Sequence, residues 1–253
     1  MPQRDQPDPL SSGAPGASPA AQSPAPGDWK AYFDAIADLP PRDTLLFALD
    51  CFDEQFGHAK DSGVGAGPGK LRQPCPCHPD AVGVALDFGC GSGRDTLEML
   101  RRRWCVLAID SEPEAIARLE ARVPGEMKSL LRTGVDTFEE FPLPPDMFDL
   151  INASFAIPHV APAAFPALWS RVARGVKPGG RFAGQFFGVN DDWASKPDGL
   201  TRTYHTRSQV DALLADFGFT TEMLEEVERP GKNAYGEPKY WHLFHVVARR
   251  TAS

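Results

Sequence analysis

Leu86-Asp87-Phe88-Gly89-Cys90-Gly91-Ser92-Gly93-Arg94-Asp95-Thr96 is the stretch from which the fold can be read. An apolar strand, beginning at Val84, runs into three glycines, and a helix over Arg94–Arg103 follows with Leu97 and Leu100 facing inward. Glycine lets the backbone turn sharply and lets a ligand come close. The helix start adds free N–H groups and a partial positive charge. A dinucleotide loop of the form G-x-G-x-x-G would need its third glycine at position 94, which is Arg94. Asp87, two residues before the first glycine, repels a pyrophosphate and attracts an ammonium group. The expected ligand is therefore zwitterionic rather than phosphorylated.

The next strand, Cys105–Ile109, leads to Asp110, 23 residues after Asp87. A carboxylate at that place accepts both hydroxyls of a ribose. A nucleoside joined to an amino acid satisfies both acids, and S-adenosylmethionine (SAM) is such a molecule.

The same rhythm extends in both directions. Upstream, Trp29, Tyr32, Phe33 and Ile36 form a helical stripe with Asp28 as N-cap, ended by Pro40 and Pro41. Leu45, Leu49, Phe52 and Phe56 form a second stripe, closed by Gly57. Downstream, Ser111–Glu114 reads as a capping box with Pro113 in the first turn of a helix that buries Ile116, Leu119 and Val123. Short strands are expected at Ser129–Arg132 and Phe148–Asn152, then a helix from near Pro162. Lys177-Pro178-Gly179-Gly180 reads as a tight turn into a strand over Arg181–Phe187. A capping box at Thr206–Gln209 opens a helix ended by Gly218, and strands at Thr220–Val227 and Trp241–Arg249 close the chain. The expected fold is α/β: a Rossmann-like, doubly wound sheet of about seven strands. It is mostly parallel with an antiparallel C-terminal strand and has helices on both faces.

Of 253 residues, 42% are apolar and 24% charged, with net charge −8. These values suit a globular chain, and the acidic balance argues against a nucleic-acid surface. Residues 1–27 hold seven Pro, five Ala, four Ser and three Gly, a composition expected to stay disordered. The domain is expected over 28–253, with helices at 28–57 and a flexible loop at 58–83 whose 61–80 stretch carries four Gly and four Pro. No window approaches 18 apolar residues and no secretory leader is evident, so neither a membrane span nor export is expected. Five cysteines in a long chain argue against a disulfide scaffold and for a cytoplasmic setting. Cys75-Pro76-Cys77-His78 is too crowded, and lacks the further ligands, for a zinc site; no metal is expected. The run Arg101–Arg103 complements a helix C-terminus.

In Leu86–Gly93, Ala108-Ile109-Asp110, Phe148–Ile151 and Val176–Gly180 the chain resembles the class I SAM-dependent methyltransferases, from about Trp29 to Arg249. Gly93-Arg94-Asp95 and the aromatic first helix look closest to small-molecule branches of the tellurite-resistance or thiopurine type. The resemblance implies that Asp87, Phe88 and the loop at Gly89, Cys90, Gly91 and Gly93 hold the methionine portion. Asp110 would bind the ribose, with Ser111 beside the adenine and Asp136 at its amine. Ala153, Ser154 and Phe155 would lie by the methyl group, and Trp29 would close over the site. Cys90 itself reads as a small residue tolerated in the loop.

Ligands of open α/β sheets bind outside the strands' carboxyl ends. His159, just past the fourth strand, is thus the candidate general base or substrate contact. Trp193, Tyr204, Tyr240 and Trp241, with His205 and His242 beside them, are candidates to line an apolar acceptor pocket. The expected activity is transfer of a methyl group to a small molecule by in-line displacement. The alternatives are a SAM-binding protein with other chemistry, a silent partner-binding subunit, and a nicotinamide enzyme, which Arg94 disfavours.

Overall fold

In the computed structural model, residues 28–56, 78–79, 81–196 and 198–251 are described. The expected tail, Gly57 and most of the 58–83 loop, including Cys75 and Cys77, lie outside them.

Two helices open the fold. Asp28 accepts a hydrogen bond from Ala31 N and starts α1 (Trp29–Ile36), which buries Phe33 and Ile36. It is followed by α2 (Asp43–Phe56), which buries Leu45, Leu49 and Phe52. Next come β1 (Val84–Phe88), α3 (Arg94–Arg101), β2 (Cys105–Asp110), α4 (Pro113–Arg122), β3 (Leu131–Val135) and β4 (Phe148–Ala153). The second half holds α5 (Phe165–Gly175), β5 (Val176–Gly188), the one-turn α6 (Asp192–Ser195), β6 (Tyr204–His205), α7 (Arg207–Asp216), β7 (Phe219–Lys232) and β8 (Pro238–Arg250).

The sheet order is β3-β2-β1-β4-β5-β8-β7. The first five strands are parallel, and β8 runs antiparallel to both β5 and β7. Two-residue β6, not foreseen, pairs with Phe187 and Gly188, beyond the end of β4. One face packs Leu45, Met99 and Leu119 of α2, α3 and α4 on Val106 and Leu150. The other packs Trp169 of α5 and Leu214 of α7 on Phe182 and Phe186. The expected doubly wound sheet is therefore present.

Four local expectations are corrected. The strand expected at Ser129–Arg132 is a 3-10 turn, Gly125–Leu130, followed by β3. Thr133, Gly134 and Val135 join that strand because β2 supplies the ladder, through Asp110. Lys177–Gly180 does not turn: β5 runs through it, bulging against β4, with Gly179 at φ +80°. The Ser111 capping box does not form. Glu112 is the N-cap of α4, and its N–H donates to Asp110 Oδ1 at 3.0 Å. Finally, Cys51 and Cys90 are free, but Cys105 is disulfide-bonded. By contrast the Thr206–Gln209 capping box is complete, and Gly218 takes φ +71° at the end of α7.

Candidate functional site

The chain leaves β1 toward β2 on one side and later enters β4 on the other. The order thus reverses between β1 and β4, where open sheets bind ligands. The glycine loop sits at this point. Gly89 N and Cys90 N donate to Ile109 O at 2.8 and 3.0 Å, and Gly91 N donates to Asp110 Oδ2 at 2.8 Å. Two of its glycines have different reasons to lack a Cβ. At Gly93 (φ +88°) a Cβ would fall 2.3 Å from Leu119 Cδ1, so α4 closes that side. At Gly91 (φ +52°) the nearest atom would be Phe33 Cε1, 3.5 Å away. Close approach to backbone is therefore available at Gly91, under α1. This cradle fits the amino-acid end of a nucleoside-linked ligand.

Asp110 is half-buried. Burial raises its carboxyl above the ordinary range, opposed by N–H donors from Glu112, Gly91 and Ser111. Its two oxygens retain lone pairs for a diol. Ser111 is exposed beside it, and Asp136 N donates to Asp110 O at 3.1 Å. The structure thus brings Asp110, Ser111 and Asp136 together at one edge of the cradle.

Asp87 is not at the loop surface. It is 2% exposed, accepting from Thr96 Oγ1 and, at 2.9 Å, from Asn152 Nδ2. The same amide donates to Asp95 Oδ2 at 3.1 Å. Asp95, also buried, accepts in addition from Arg42 N. One asparagine therefore bridges two buried carboxylates. Burial first, and Asp95 second, hold the Asp87 carboxyl up to about 7, against 3.8 for the free group. Folding takes up a proton across that window. Stability from this group is thus greatest at low pH, falls as pH rises from about 4 to 7, and levels off above. Asn152, Asp95 and Thr96 were missed from sequence; a lone asparagine ending an apolar strand was the available signal.

Other predicted contacts are corrected. The Phe88 ring is fully buried against Phe138 and Phe141, and Ala153 lies in the same core, so only their backbones can reach a ligand. Cys90, read as a small residue tolerated in the loop, is buried, and burial pushes its thiol well above the usual value. Ser154 donates to Asn152 Oδ1 at 3.1 Å, tying the end of β4 to the carboxylate pair.

Past β4 an aromatic nest forms. Phe155 adopts φ +53°, and its N–H donates to Gln185 Oε1 at 2.8 Å. Phe155, Trp193 and Tyr204 pack with Phe187, Trp241 and Leu243. The His159 ring meets Trp29 at 5.7 Å and Phe187 at 5.6 Å, both edge-on. Desolvation, and then Arg202, lower His159 to about 4, outweighing Asp198. It is a neutral imidazole near pH 7 and a weak base. Tyr240 is not brought in: β8 alternation turns it away from Trp241, and its N–H is held by Asp192 Oδ2 at 2.8 Å. His205 likewise packs on Phe165 and Phe186, on the other side of the sheet. His242 Nδ1 accepts from Asn190 N at 3.1 Å. Its Nε2 thus carries the proton that faces Glu226, 3.1 Å away, leaving no lone pair for a metal beside Glu226 and Glu228.

Comparison with known proteins agrees with this geometry. Residues 85–180 match the methyltransferase domain family. An uncharacterized methyltransferase of Synechocystis sp. is 33% identical over 98 residues, covering 39% of this chain and 44% of that protein. One from Mycobacterium tuberculosis is 36% identical over 104 residues, covering 41% and 39%. The chain thus spans less than half the length of either relative. Among solved structures, the 1,6-didemethyltoxoflavin-N1-methyltransferase of Burkholderia thailandensis has a TM-score of 0.56 at 21% identity, covering 92% of this chain and 93% of that one. A SAM-dependent methyltransferase of Methanosarcina mazei has a TM-score of 0.52 at 21% identity, covering 68% and 93%. These two are likenesses of fold. Residues 85–180 thus match a methyltransferase domain, set in a sheet of the same fold as these SAM-dependent enzymes.

Proposed function

We propose that the protein transfers a methyl group from SAM to a small-molecule acceptor. The observation that carries this reading is the juxtaposition of the Gly91–Asp110 cradle with the aromatic nest beyond β4. SAM supplies an electrophilic methyl group on a sulfonium. Asp110 would hold the ribose, with Ser111 and Asp136 beside the base. The Gly89–Gly91 backbone would hold the amino-acid end, and buried Asp87 would favour its ammonium. Phe155, Phe187 and Trp29 exclude water, and the walls set the line of approach. With His159 neutral and weakly basic, the chain's residues suit an acceptor that gives up its own proton readily.

The Burkholderia enzyme of similar fold is named for a small-molecule acceptor, 1,6-didemethyltoxoflavin, with which a small acceptor here is consistent. The finer kinship with tellurite-resistance and thiopurine types rests on Gly93-Arg94-Asp95 and α1. The cytoplasmic setting rests on free Cys51 and Cys90, and the disulfide at Cys105 weighs against it. Among the described residues no helix is long and apolar enough to cross a membrane.

Labelled SAM incubated with thiols, amines, phenols and chalcogen anions is expected to yield S-adenosylhomocysteine and one labelled product class. Binding of NAD without binding of SAM would sink the reading. A second expected result concerns pH. Asp87 ionises near 7, so affinity for S-adenosylhomocysteine should rise severalfold between about pH 6 and 8. Asp87→Asn should flatten that rise; an unchanged calorimetric profile would remove Asp87 from the ammonium site.

A further inference from the structure

The ligand read from the cradle is a zwitterion. Asp87 would favour its ammonium, and its carboxylate calls for a cation. Two guanidiniums stand beside the cradle. Arg94, in the first turn of α3, directly follows Gly93, and its Nε donates to Pro40 O in the α1–α2 connection. Phe33, from the helix that leads into this connection, lies over Gly91, where the backbone is open to close approach. Arg42, in the connection itself, is the second.

Arg42 is already committed. Its guanidinium lies 4.3 Å above the Phe155 ring centroid, and the hollow there, walled also by Gln185 and His245, holds only about 30 Å³. Gln185 Nε2 and His245 Nδ1 meet in its wall at 3.4 Å. Arg94 differs. Its Nη1 is buried and, among the described residues, has no hydrogen-bond partner. Burying a charged donor without an acceptor is costly, and a ligand oxygen removes that cost.

The acids nearby do not serve Arg94 Nη1. Asp95 Oδ1 accepts from Arg42 N at 3.0 Å, and its Oδ2 accepts from Asn152 Nδ2 at 3.1 Å. Asp43 is exposed at the start of α2. Burial first, and the Arg42 charge second, lower the Arg94 guanidinium to about 10, opposed by Asp95, Tyr32 and Asp43. It stays charged at neutral pH. Both leading causes mark a positive charge short of a counter-charge. A carboxylate supplies one through directed, charge-assisted bonds.

We infer that Arg94 receives the carboxylate of the ligand's amino-acid end on its Nη1, while Asp87 favours the ammonium. This rests on the SAM reading of the cradle and adds to it a contact from the first turn of α3.

The test uses the full chain and calorimetry. S-adenosylhomocysteine is compared with its decarboxylated analogue, which keeps the nucleoside, the sulfur and the amine. Wild type is expected to bind the carboxylated compound roughly thirtyfold more tightly. In Arg94→Met that preference should fall to about threefold or less, while affinity for the analogue changes by no more than about threefold. Arg94→Lys, which keeps a cation, should recover part of the preference. Should Arg94→Met fail to fold, Arg94→Gln carries the same comparison. Equal affinity of wild type for the two compounds overturns the inference, as does a preference that survives Arg94→Met. So does an equal loss of both ligands in that variant, which would assign Arg94 only to holding the α1–α2 connection through Pro40. A wild-type chain that binds neither compound overturns the SAM reading itself.

Discussion

Asp110→Ala is expected to weaken S-adenosylhomocysteine binding roughly a hundredfold. Two hydrogen bonds from ribose hydroxyls to a carboxylate contribute about 1.5 kcal/mol each at the low end, and every 1.4 kcal/mol is about tenfold. The substitution also removes the acceptor for Gly91 N and Glu112 N. The loop and the start of α4 then lose their common tether, so part of the loss is a less ordered cradle. Calorimetry on wild type and variant, with melting of the ligand-free proteins alongside, separates the two contributions. An affinity within threefold of wild type would end the ribose assignment, whatever happens to melting.

The largest expected effect on stability is at Asn152. Asn152→Leu keeps the branched side-chain skeleton and strips the amide that bridges Asp87 and Asp95. Two buried carboxylates then face one another with one donor fewer each. Leaving charged groups unsatisfied costs about 3 kcal/mol in sum. For a domain of this size that lowers Tm by roughly 6–12 °C. The deficit should shrink at pH 5.5. There Asp87 holds a proton in the fold, since its carboxyl titrates near 7, and the repulsion the amide offset is gone. A Tm deficit of equal size at pH 8 and pH 5.5 would show that packing, and not the carboxylate pair, explains Asn152.

What the sequence disclosed about the site is what lies within one strand–loop–helix unit. The glycine run, Asp87 and Asp110 are close in sequence, and their spacing is itself the geometry. Periodicity likewise revealed α1, α2, α4 and α7, whose apolar stripes face the core. The third strand was misplaced because Thr133 and Gly134 favour a strand only when β2 stands beside them. Lys177–Gly180 carries strong turn residues, yet pairing with β4 at either end of the stretch, Phe148 with Val176 and Leu150 with Arg181, holds it in β5 as a bulge. The Ser111 box was pre-empted by Asp110, whose carboxylate takes the Glu112 N–H first. Asn152, Arg42, Gln185 and His245 were invisible for a different reason. Each gains its role from a residue far away in sequence, 65 positions from Asn152 to Asp87 and 60 from Gln185 to His245.

The hollow beside Phe155 is lined by Arg42 and Asp43 from before the domain match, by Phe155 within it, and by Gln185, Val227, Arg229, Leu243 and His245 from after it. The glycine loop and Asp110 lie within residues 85–180. Substitutions outside that span can therefore reshape this hollow while leaving the hydrogen bonds that hold the loop to Ile109 and Asp110 untouched.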